Sequence, residues 1–474
     1  MKKTGDDYFD SEEFRTTLDS YEESVRTGHP LYLDADDLAD IADYYHFTGE
    51  DRQADEVIDY ALSLYPNSTL PNVYRAREEL NKGDVDAAQK HVDSIEQKDD
   101  PEFHYIQVEL LLARDKVEEA DRYLRQYLRT IAPEEYQDFV MDVANIYFDY
   151  GLNEKAYEWL MRTKGNNSND FKELMARTLF GLGKYKDSAR IFNELIDKNP
   201  YSKRYWNGLA NAQFMNEDFS SSVNSSEYAI AIDPDDPDSL INKANGLYRL
   251  GNFEEAIRYY DRYGEMASPD EFSLLHKGSS LVNLNQYDTG LQTLKDAVEI
   301  CPKDSPFLPQ IYQELAFCCS ALGQLDEALD YIERTRDLDC DHIDMLVLKG
   351  HILLEHSHIH EAEEVFKNAM IRSEEDPLVI LRILVSLYDN KYVKAAYEMF
   401  KKFFALIVNE DFNQGYSYMA LCCWDLNFTE EFLMYLRLAV ERNPREARQV
   451  LGHLFPEEMA AKDYYQYMYN KLKK

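Results

Sequence analysis

The sequence predicts an all-α protein, a right-handed superhelical solenoid of tandem antiparallel helix pairs with helical caps. Three observations favour this fold. The chain of 474 residues is too long for one hydrophobic core. It has only 15 Pro and 18 Gly, which argues against a many-turned β protein. Small residues also recur along it, at intervals that cluster around 34.

Two series of small residues define the repeat. The first series is Ala42, Ala76, Val108, Ala144, Ala176, Ala210, Ala244, Gly278, Ala316, Gly350, Ile383 and Ala420. The second series follows twelve residues behind and reads Ala54, Ala88, Ala120, Ala156, Ser188, Ser222, Ala256, Gly290, Ala328, Ala362 and Ala395. Antiparallel helices joined by a short turn approach closely only where both present small side chains. The paired series therefore predict one helix pair per interval.

Turn and core residues keep the same register. A glycine suited to ending a helix stands seven residues after six of the small residues, at Gly49, Gly83, Gly151, Gly183, Gly251 and Gly323. A large residue follows four places after the small one in several second helices, namely Leu124, Leu160, Phe192, Tyr260 and Phe366. That spacing puts both residues on one helix face, so the large residues are expected in the core.

At these residues the chain resembles the tetratricopeptide-repeat (TPR) family. The clearest unit runs from Trp206 through Ala210, Phe219 and Ala229 to Pro234. The resemblance covers about residues 35–444 and implies a TPR array of about 12 repeats.

Three positions depart from the pattern of the family. Val108 and Ile383 replace the small residue of the first helix, and Phe432, or Glu431 in a shifted register, replaces that of the second helix in the last unit.

Four segments are predicted along the chain. Residues 1–34 form an acidic segment with a capping helix over 11–27, and residues 35–302 form an N-terminal repeat array. Residues 303–444 form a C-terminal array, because the proline-rich stretch between Pro302 and Pro309 is expected to separate two subdomains. Residues 445–474 are expected to form capping helices, the last of them over 457–474, since solenoid ends must be covered.

Charge narrows the class of partner. With 89 Asp and Glu against 51 Lys and Arg, the net charge of −38 disfavours nucleic acids and anionic membranes. No run of eighteen apolar residues and no secretory signal are visible. The six Cys form no CxxC pattern, and in the absence of an export signal we expect reduced thiols in a cytoplasmic protein. The acidic first sixty residues fit either a basic partner or solvated helix faces.

The candidate binding residues lie on the first helices, which line the concave side of such a stack. Asn145, Arg177, Asn211 and Asn245 each follow a small residue directly, and Asn207, Asn242, His276 and Lys277 lie nearby. The resemblance implies that such Asn residues pair with a peptide backbone and that Lys or Arg grips a terminal carboxylate. An amide offers both a donor and an acceptor. Ordinary solvent-facing residues on a polar groove remain the alternative.

Catalytic chemistry is not expected. His351, His356, His358 and His360 have the ingredients of a metal site, but several of them cross an inter-helix turn and are expected to diverge. In Cys318-Cys319 and Cys422-Cys423, one residue of each pair is expected in the core and the other near it. No P-loop, GxGxxG, GxSxG or HExxH motif occurs.

The sequence therefore favours a non-enzymatic adaptor or scaffold, without cofactor or metal, that binds a protein or peptide segment in its groove. A self-associating structural subunit is one alternative, which an apolar tyrosine-rich C-terminal helix would favour. An enzyme with a metal site at the His351–His360 cluster is another.

Overall fold

A computed structural model describes residues 6–28, 31–163, 165–407, 412–456 and 458–472. Within these residues the regular structure is entirely helical, as the sequence predicts. The chain divides into two compact units, Met1–Ile232 and Asp233–Lys474.

Unit 1 consists of two N-terminal capping helices followed by six helix pairs. Its helices are α1 (Asp6–Phe9), α2 (Glu12–Thr27), α3 (Ala35–Phe47), α4 (Asp51–Leu64), α5 (Thr69–Asn81), α6 (Val85–Ser94), α7 (Pro101–Ala113), α8 (Val117–Tyr127), α9 (Tyr136–Asp149), α10 (Asn153–Leu160), α11 (Asn169–Gly181), α12 (Tyr185–Lys198), α13 (Lys203–Met215) and α14 (Phe219–Ile232). A 3₁₀ turn, Met161–Thr163, extends α10.

Unit 2 consists of six helix pairs followed by two capping helices. Its helices are α15 (Pro237–Arg249), α16 (Phe253–Met266), α17 (Glu271–Asn283), α18 (Tyr287–Ile300), α19 (Leu308–Ala321), α20 (Leu325–Arg334), α21 (His342–Glu355), α22 (Ile359–Arg372), α23 (Pro377–Asp389), α24 (Val393–Leu406), α25 (Tyr416–Asp425), α26 (Thr429–Arg442), α27 (Pro444–Leu451) and α28 (Tyr464–Leu472). Two 3₁₀ turns, Gly452–Leu454 and Ala461–Asp463, lie between the last two.

The two series of small residues meet at the helix crossings. The Ser188 hydroxyl donates a 2.8 Å hydrogen bond to the Ala176 carbonyl, and Ser222 donates one of 2.9 Å to Ala210, so each crossing joins residues twelve apart. The large residues predicted four places later are buried beside them. A Cβ on Gly278 would lie 2.6 Å from the Leu294 side chain, so only glycine fits there.

Every pair turns through one residue in the left-handed conformation. The six predicted glycines all have positive φ, between 70° and 80°. The other six pairs place non-glycine residues at the equivalent position, namely Asp115, Glu217, Asn285, Ser357, Lys391 and Asn427. The turn geometry is therefore constant although the residue type is not.

These turns correct the predicted register in the eleventh pair. Lys391, with φ 68°, is seven residues after Leu384 rather than Ile383. In the second helix Ala396 is fully buried while the predicted Ala395 is exposed. The prediction is one residue early because both helices carry two adjacent residues that satisfy the pattern. In the last pair Phe432 is fully buried, which selects it over Glu431.

The N-terminal cap agrees with the sequence and the C-terminal cap is shorter than predicted. Helix α2 begins after Ser11, which accepts a hydrogen bond from the Phe14 amide. The last helix begins at Tyr464 rather than at 457, because the chain folds back so that Phe455 stacks on Tyr464 with ring centroids 3.7 Å apart. Residues nine apart in one helix would be separated by about 13.5 Å. Residues 1–5, 29, 30, 457, 473 and 474 of the predicted end segments lie outside the described residues.

The stretch between Pro302 and Pro309 lies inside unit 2, where it connects α18 to α19. The two compact units divide instead between Ile232 and Asp233. The predicted arrays 35–302 and 303–444 stay a prediction about organisation along the sequence.

Candidate functional site

A cavity of about 970 Å³ opens in unit 1 between the first helices of four successive pairs, α5, α7, α9 and α11. Its walls combine carboxylates, amides, tyrosines and two arginines. The lining residues that carry polar groups are Arg77, Asn81, Tyr105, Glu109, Asp142, Asn145, Asp149, Tyr150 and Arg177. Its volume lies within the range of about 300–1,000 Å³ typical of ligand sites.

Arg77 is neutralised by its own protein. Its guanidinium lies 3.1 Å from the Glu102 carboxylate and 2.9 Å from that of Glu109, and it donates a further hydrogen bond of 3.0 Å to Glu109 through Nε. Both glutamate side chains are only 11% exposed. Burial opposes the charge of Arg77, but the two carboxylates outweigh it and raise its pKa. Arg77 therefore links α5 to α7, and its guanidinium is already engaged in ion pairs within the chain.

Asp142 adds a partly desolvated negative charge to the cavity. Burial raises the pKa of Asp142, and the hydrogen bond of 3.0 Å that it accepts from Tyr105 opposes this rise. Burial and the neighbouring carboxylate raise the pKa of the Tyr105 phenol, which stays protonated and donating at neutral pH.

Two of the predicted binding residues, Asn145 and Arg177, line this cavity. Among the described residues, Arg177 has no ion-pair partner and the Asn145 amide has no hydrogen-bond partner. The Arg177 guanidinium lies 4.4 Å from the ring centroid of Phe148, and within the described residues it forms no ion pair. Asn145 is half-buried, and its amide has no hydrogen-bond partner among the described side chains and backbone groups. Both therefore retain donors, and Asn145 an acceptor, for a ligand.

The other two predicted residues of unit 1 lie on α13. Asn211 is exposed, whereas Asn207 is only 9% exposed. Neither residue lines the cavity between α5 and α11.

Of the two predicted asparagines in unit 2, Asn245 forms a hydrogen bond within the fold and Asn242 has an unpaired amide nitrogen among the described groups. The Asn245 amide oxygen accepts a 2.8 Å hydrogen bond from Tyr260, a core residue of α16. Asn242 is half-buried, and its amide nitrogen has no hydrogen-bond partner among the described groups.

His276 and Lys277 are adjacent in sequence but point in different directions. The His276 Nδ1 lies 2.9 Å from the Phe272 carbonyl, and its ring packs edge-on against Tyr248. Burial lowers the pKa of His276, so it is neutral at pH 7. Lys277 instead pairs at 2.5 Å with Asp261 on α16. The structure therefore does not bring these two side chains together.

One helix face explains the pattern. Residues one place after and two places before the small residue are three apart, so they share a face of the first helix. The position directly after the small residue is occupied by Asn145, Arg177 and Asn245. It is also occupied by Arg77 and Glu109, which sequence reasoning missed. Extending the register of the four noted units to every first helix would have found both.

Three of the four histidines predicted to diverge contact different helices. His351 lies 3.0 Å from the Ser386 hydroxyl on α23, and His356 lies 3.2 Å from that of Ser320 on α19. His358, which directly precedes α22, lies 2.7 Å from Glu361 on that helix. Within the described part of the chain, no group of three or more His, Cys, Asp or Glu residues has metal-binding geometry.

Cysteines and tyrosines are packed into the core. Cys318, Cys319, Cys422 and Cys423 are all fully buried, so both members of each pair are core residues rather than one. Burial raises the pKa of Cys318 to about 12, which leaves its thiol protonated and unreactive at neutral pH. In α28, Tyr464 is buried, and Tyr465, Tyr467 and Tyr469 pack against the core cluster of unit 2.

The repeat geometry is matched by a family model. Residues 174–237 match the model described as tetratricopeptide repeat. Together with the repeat geometry, this match identifies the fold as a tetratricopeptide-repeat (TPR) array. Among curated proteins it is similar to the Protein CTR9 homolog of Arabidopsis thaliana, with 26% identity over 217 residues. That alignment covers 45% of this TPR chain and 18% of the relative.

Three solved structures illustrate the likeness. A tetratricopeptide repeat protein from Parabacteroides merdae ATCC 43184 is 15% identical, with a TM-score of 0.41, and the match covers 54% of this chain and 99% of that one. The Cut9–Hcn1 hetero-tetramer of the APC/C gives 14% identity, a TM-score of 0.38 and 94% coverage of both chains. YrrB, described as a TPR protein with an unusual peptide-binding site, is 19% identical with a TM-score of 0.35, and the match covers 40% of this chain and 97% of that one. The assignment of the fold rests on the repeat geometry and, within residues 174–237, on the family model.

No described helix is both long enough and apolar enough to cross a membrane.

Proposed function

We propose that this TPR protein is a non-enzymatic adaptor whose unit 1 cavity binds a segment of a partner protein. The observation that carries the proposal is the pair of uncommitted side chains, Asn145 and Arg177, in a cavity formed by four successive first helices. Repeat arrays expose such surfaces because each pair contacts only its neighbours.

The chemistry of the cavity suits an extended segment. The Asn145 amide can both donate to and accept from a peptide backbone, as an unpaired strand requires. Arg177, stacked on Phe148, offers its guanidinium to a carboxylate of the partner. Asp142 and Asp149 would oppose a strongly acidic segment, so the favoured segment is of mixed charge.

A reducing, cytoplasmic setting fits this proposal. All six cysteines are free, and four of them are buried. The self-association alternative has less support than the sequence alone gave it, because the tyrosines of α28 pack against their own unit.

The test is quantitative affinity capture from a lysate of the source organism, read by mass spectrometry. Wild-type protein is compared with Asn145→Ala/Arg177→Ala. The matched control is Arg190→Ala/Asn193→Ala, the same two residue types on exposed positions of α12. We expect one or more proteins to be retained by wild type and by the control and to be lost with the cavity variant.

Capture of the same proteins by all three forms would show that binding does not use this cavity. Circular dichroism must first show that both variants keep the wild-type helix content, so that loss of a partner reports the surface rather than unfolding.

A further inference from the structure

A second cavity, of about 390 Å³, lies in unit 2 between α17, α19 and α21. These are again first helices of three successive pairs. Its lining residues are Val282, Asn283, Asn285, Tyr287, Gln313, Glu314, Phe317 and Leu348. A single carboxylate and no cationic side chain stand among them.

Glu314 is the distinctive group of this cavity. It is half-buried, and among the described residues it forms no ion pair; its carboxyl group interacts only with the neutral Ser279 hydroxyl. Burial raises its pKa, and the adjacent Ser279 hydroxyl opposes this rise. Ser279 is itself only 1% exposed.

An uncompensated carboxylate is costly for a fold, since desolvation of the charge is not offset by a nearby cation. In unit 1, by contrast, Arg77 neutralises the buried carboxylates of Glu102 and Glu109. A perturbed, unpaired carboxyl group in a cleft points to a ligand that supplies the missing charge.

The walls define the shape of that ligand. Val282, Phe317 and Leu348 provide an apolar lining, which suits an aliphatic stem. Asn283 and Gln313 add amide oxygens that can accept further hydrogen bonds from a cationic head group.

We propose that this pocket binds the side chain of a lysine or arginine from a protein partner, with its charge paired to Glu314. The aliphatic stem packs between Phe317 and Leu348, and the head group lies against the carboxylate. The pocket belongs to the other unit from the cavity of the proposed function, so either site can fail without the other.

The test uses the full chain and nine-residue peptides of alanine and serine with one central residue varied. That residue is lysine, arginine, norleucine, glutamine or glutamate. Dissociation constants are measured by ligand-observed NMR titration at about 0.15 M salt, where long-range attraction is screened. We expect the lysine or arginine peptide to bind wild type at least about tenfold more tightly than the norleucine and glutamine peptides.

Glu314→Gln should abolish this preference, and Glu314→Lys should transfer it to the glutamate peptide. Glu299→Gln is the matched control, because it removes the same charge from an exposed position on α18. Circular dichroism of each variant verifies the fold.

Three results would overturn the proposal. The first is a preference for the cationic peptides that is as strong in Glu314→Gln as in wild type. The second is a loss of that preference in Glu299→Gln as large as in Glu314→Gln. The third is the absence of any such preference in wild type. Binding of 1,4-diaminobutane without binding of any peptide would overturn the assignment to a protein partner.

Discussion

Arg77 offers the sharpest test of how charge holds unit 1 together. Replacing it by Met keeps much of the side-chain volume but removes the cation between Glu102 and Glu109. Both carboxylates, which are 11% exposed, then lose the charge that Arg77 supplies. The variant tests whether the lining of the large cavity is stabilised by this ion pair or by packing alone.

The magnitude follows from exposure. Breaking a fully buried pair by removing one partner costs about 3–5 kcal/mol. Because the Arg77 side chain is itself 36% exposed, water relieves part of the penalty, and we expect about 2–3 kcal/mol. The comparison is Arg52→Met, which breaks a pair with Glu56 in which both side chains are over 60% exposed. That change should cost about 0.5 kcal/mol or less.

Hydrogen exchange read by mass spectrometry suits a repeat protein, which need not unfold as one unit. In Arg77→Met, exchange-protected amides of α5 and α7 should exchange about 30- to 150-fold faster than in wild type. Adding Glu102→Gln and Glu109→Gln should restore most of the protection, since neutral amides need no cation.

Equal exchange rates in Arg77→Met and Arg52→Met would refute this reasoning. Failure of the two glutamine substitutions to rescue would also refute it, because the loss would then come from packing rather than from unpaired charge.

Three further predictions concern the turns, the crossings and Glu314. Glu217 has φ 62°, so Glu217→Gly should stabilise unit 1 by about 0.5 kcal/mol, whereas Gly183→Ala should destabilise it by about 1 kcal/mol. A loss of stability in Glu217→Gly or a gain in Gly183→Ala, measured by urea denaturation, would contradict this prediction. Gly350→Ala should destabilise unit 2 by about 1–3 kcal/mol because its Cβ would enter the Phe366 ring. Gly264→Ala, whose Cβ would make an ordinary contact of 3.5 Å with Pro269, should be neutral or stabilising in the same assay. The raised pKa of Glu314 means that its protonated form favours folding, so wild type loses stability as pH rises through that pKa. Glu314→Gln should therefore melt higher than wild type at pH 8 and no higher at pH 4, and an equal gain at both values would exclude the charge as its cause.

Much of the fold could be predicted because the spacing is set by geometry. The offset of twelve between Ala176 and Ser188 is the distance around one helical hairpin, and the hydrogen bond between them realises it. The prediction slipped where neighbours were interchangeable. Ile383 and Leu384 are both apolar and both buried, so only the left-handed turn at Lys391 distinguishes their roles.

The site could be predicted only in outline. The repeat register placed Asn145 and Arg177 on the helix face that lines the cavity, but Arg77 and Arg177 look alike in that register. Only the structure shows that Arg77 is neutralised by two glutamates while Arg177 is left without an ion pair among the described residues. Ion pairing depends on which residues the adjacent helices present, and the repeat pattern does not encode that.

The constant turn seven residues after each crossing has a consequence for how the chain folds. Each hairpin closes a loop of only a dozen residues between contacts such as Ser188 to Ala176, so the entropic cost of bringing the partners together is small. Low contact order favours fast folding that can nucleate in either unit. A damaged hairpin is then expected to fray locally, while hairpins further along the chain stay formed.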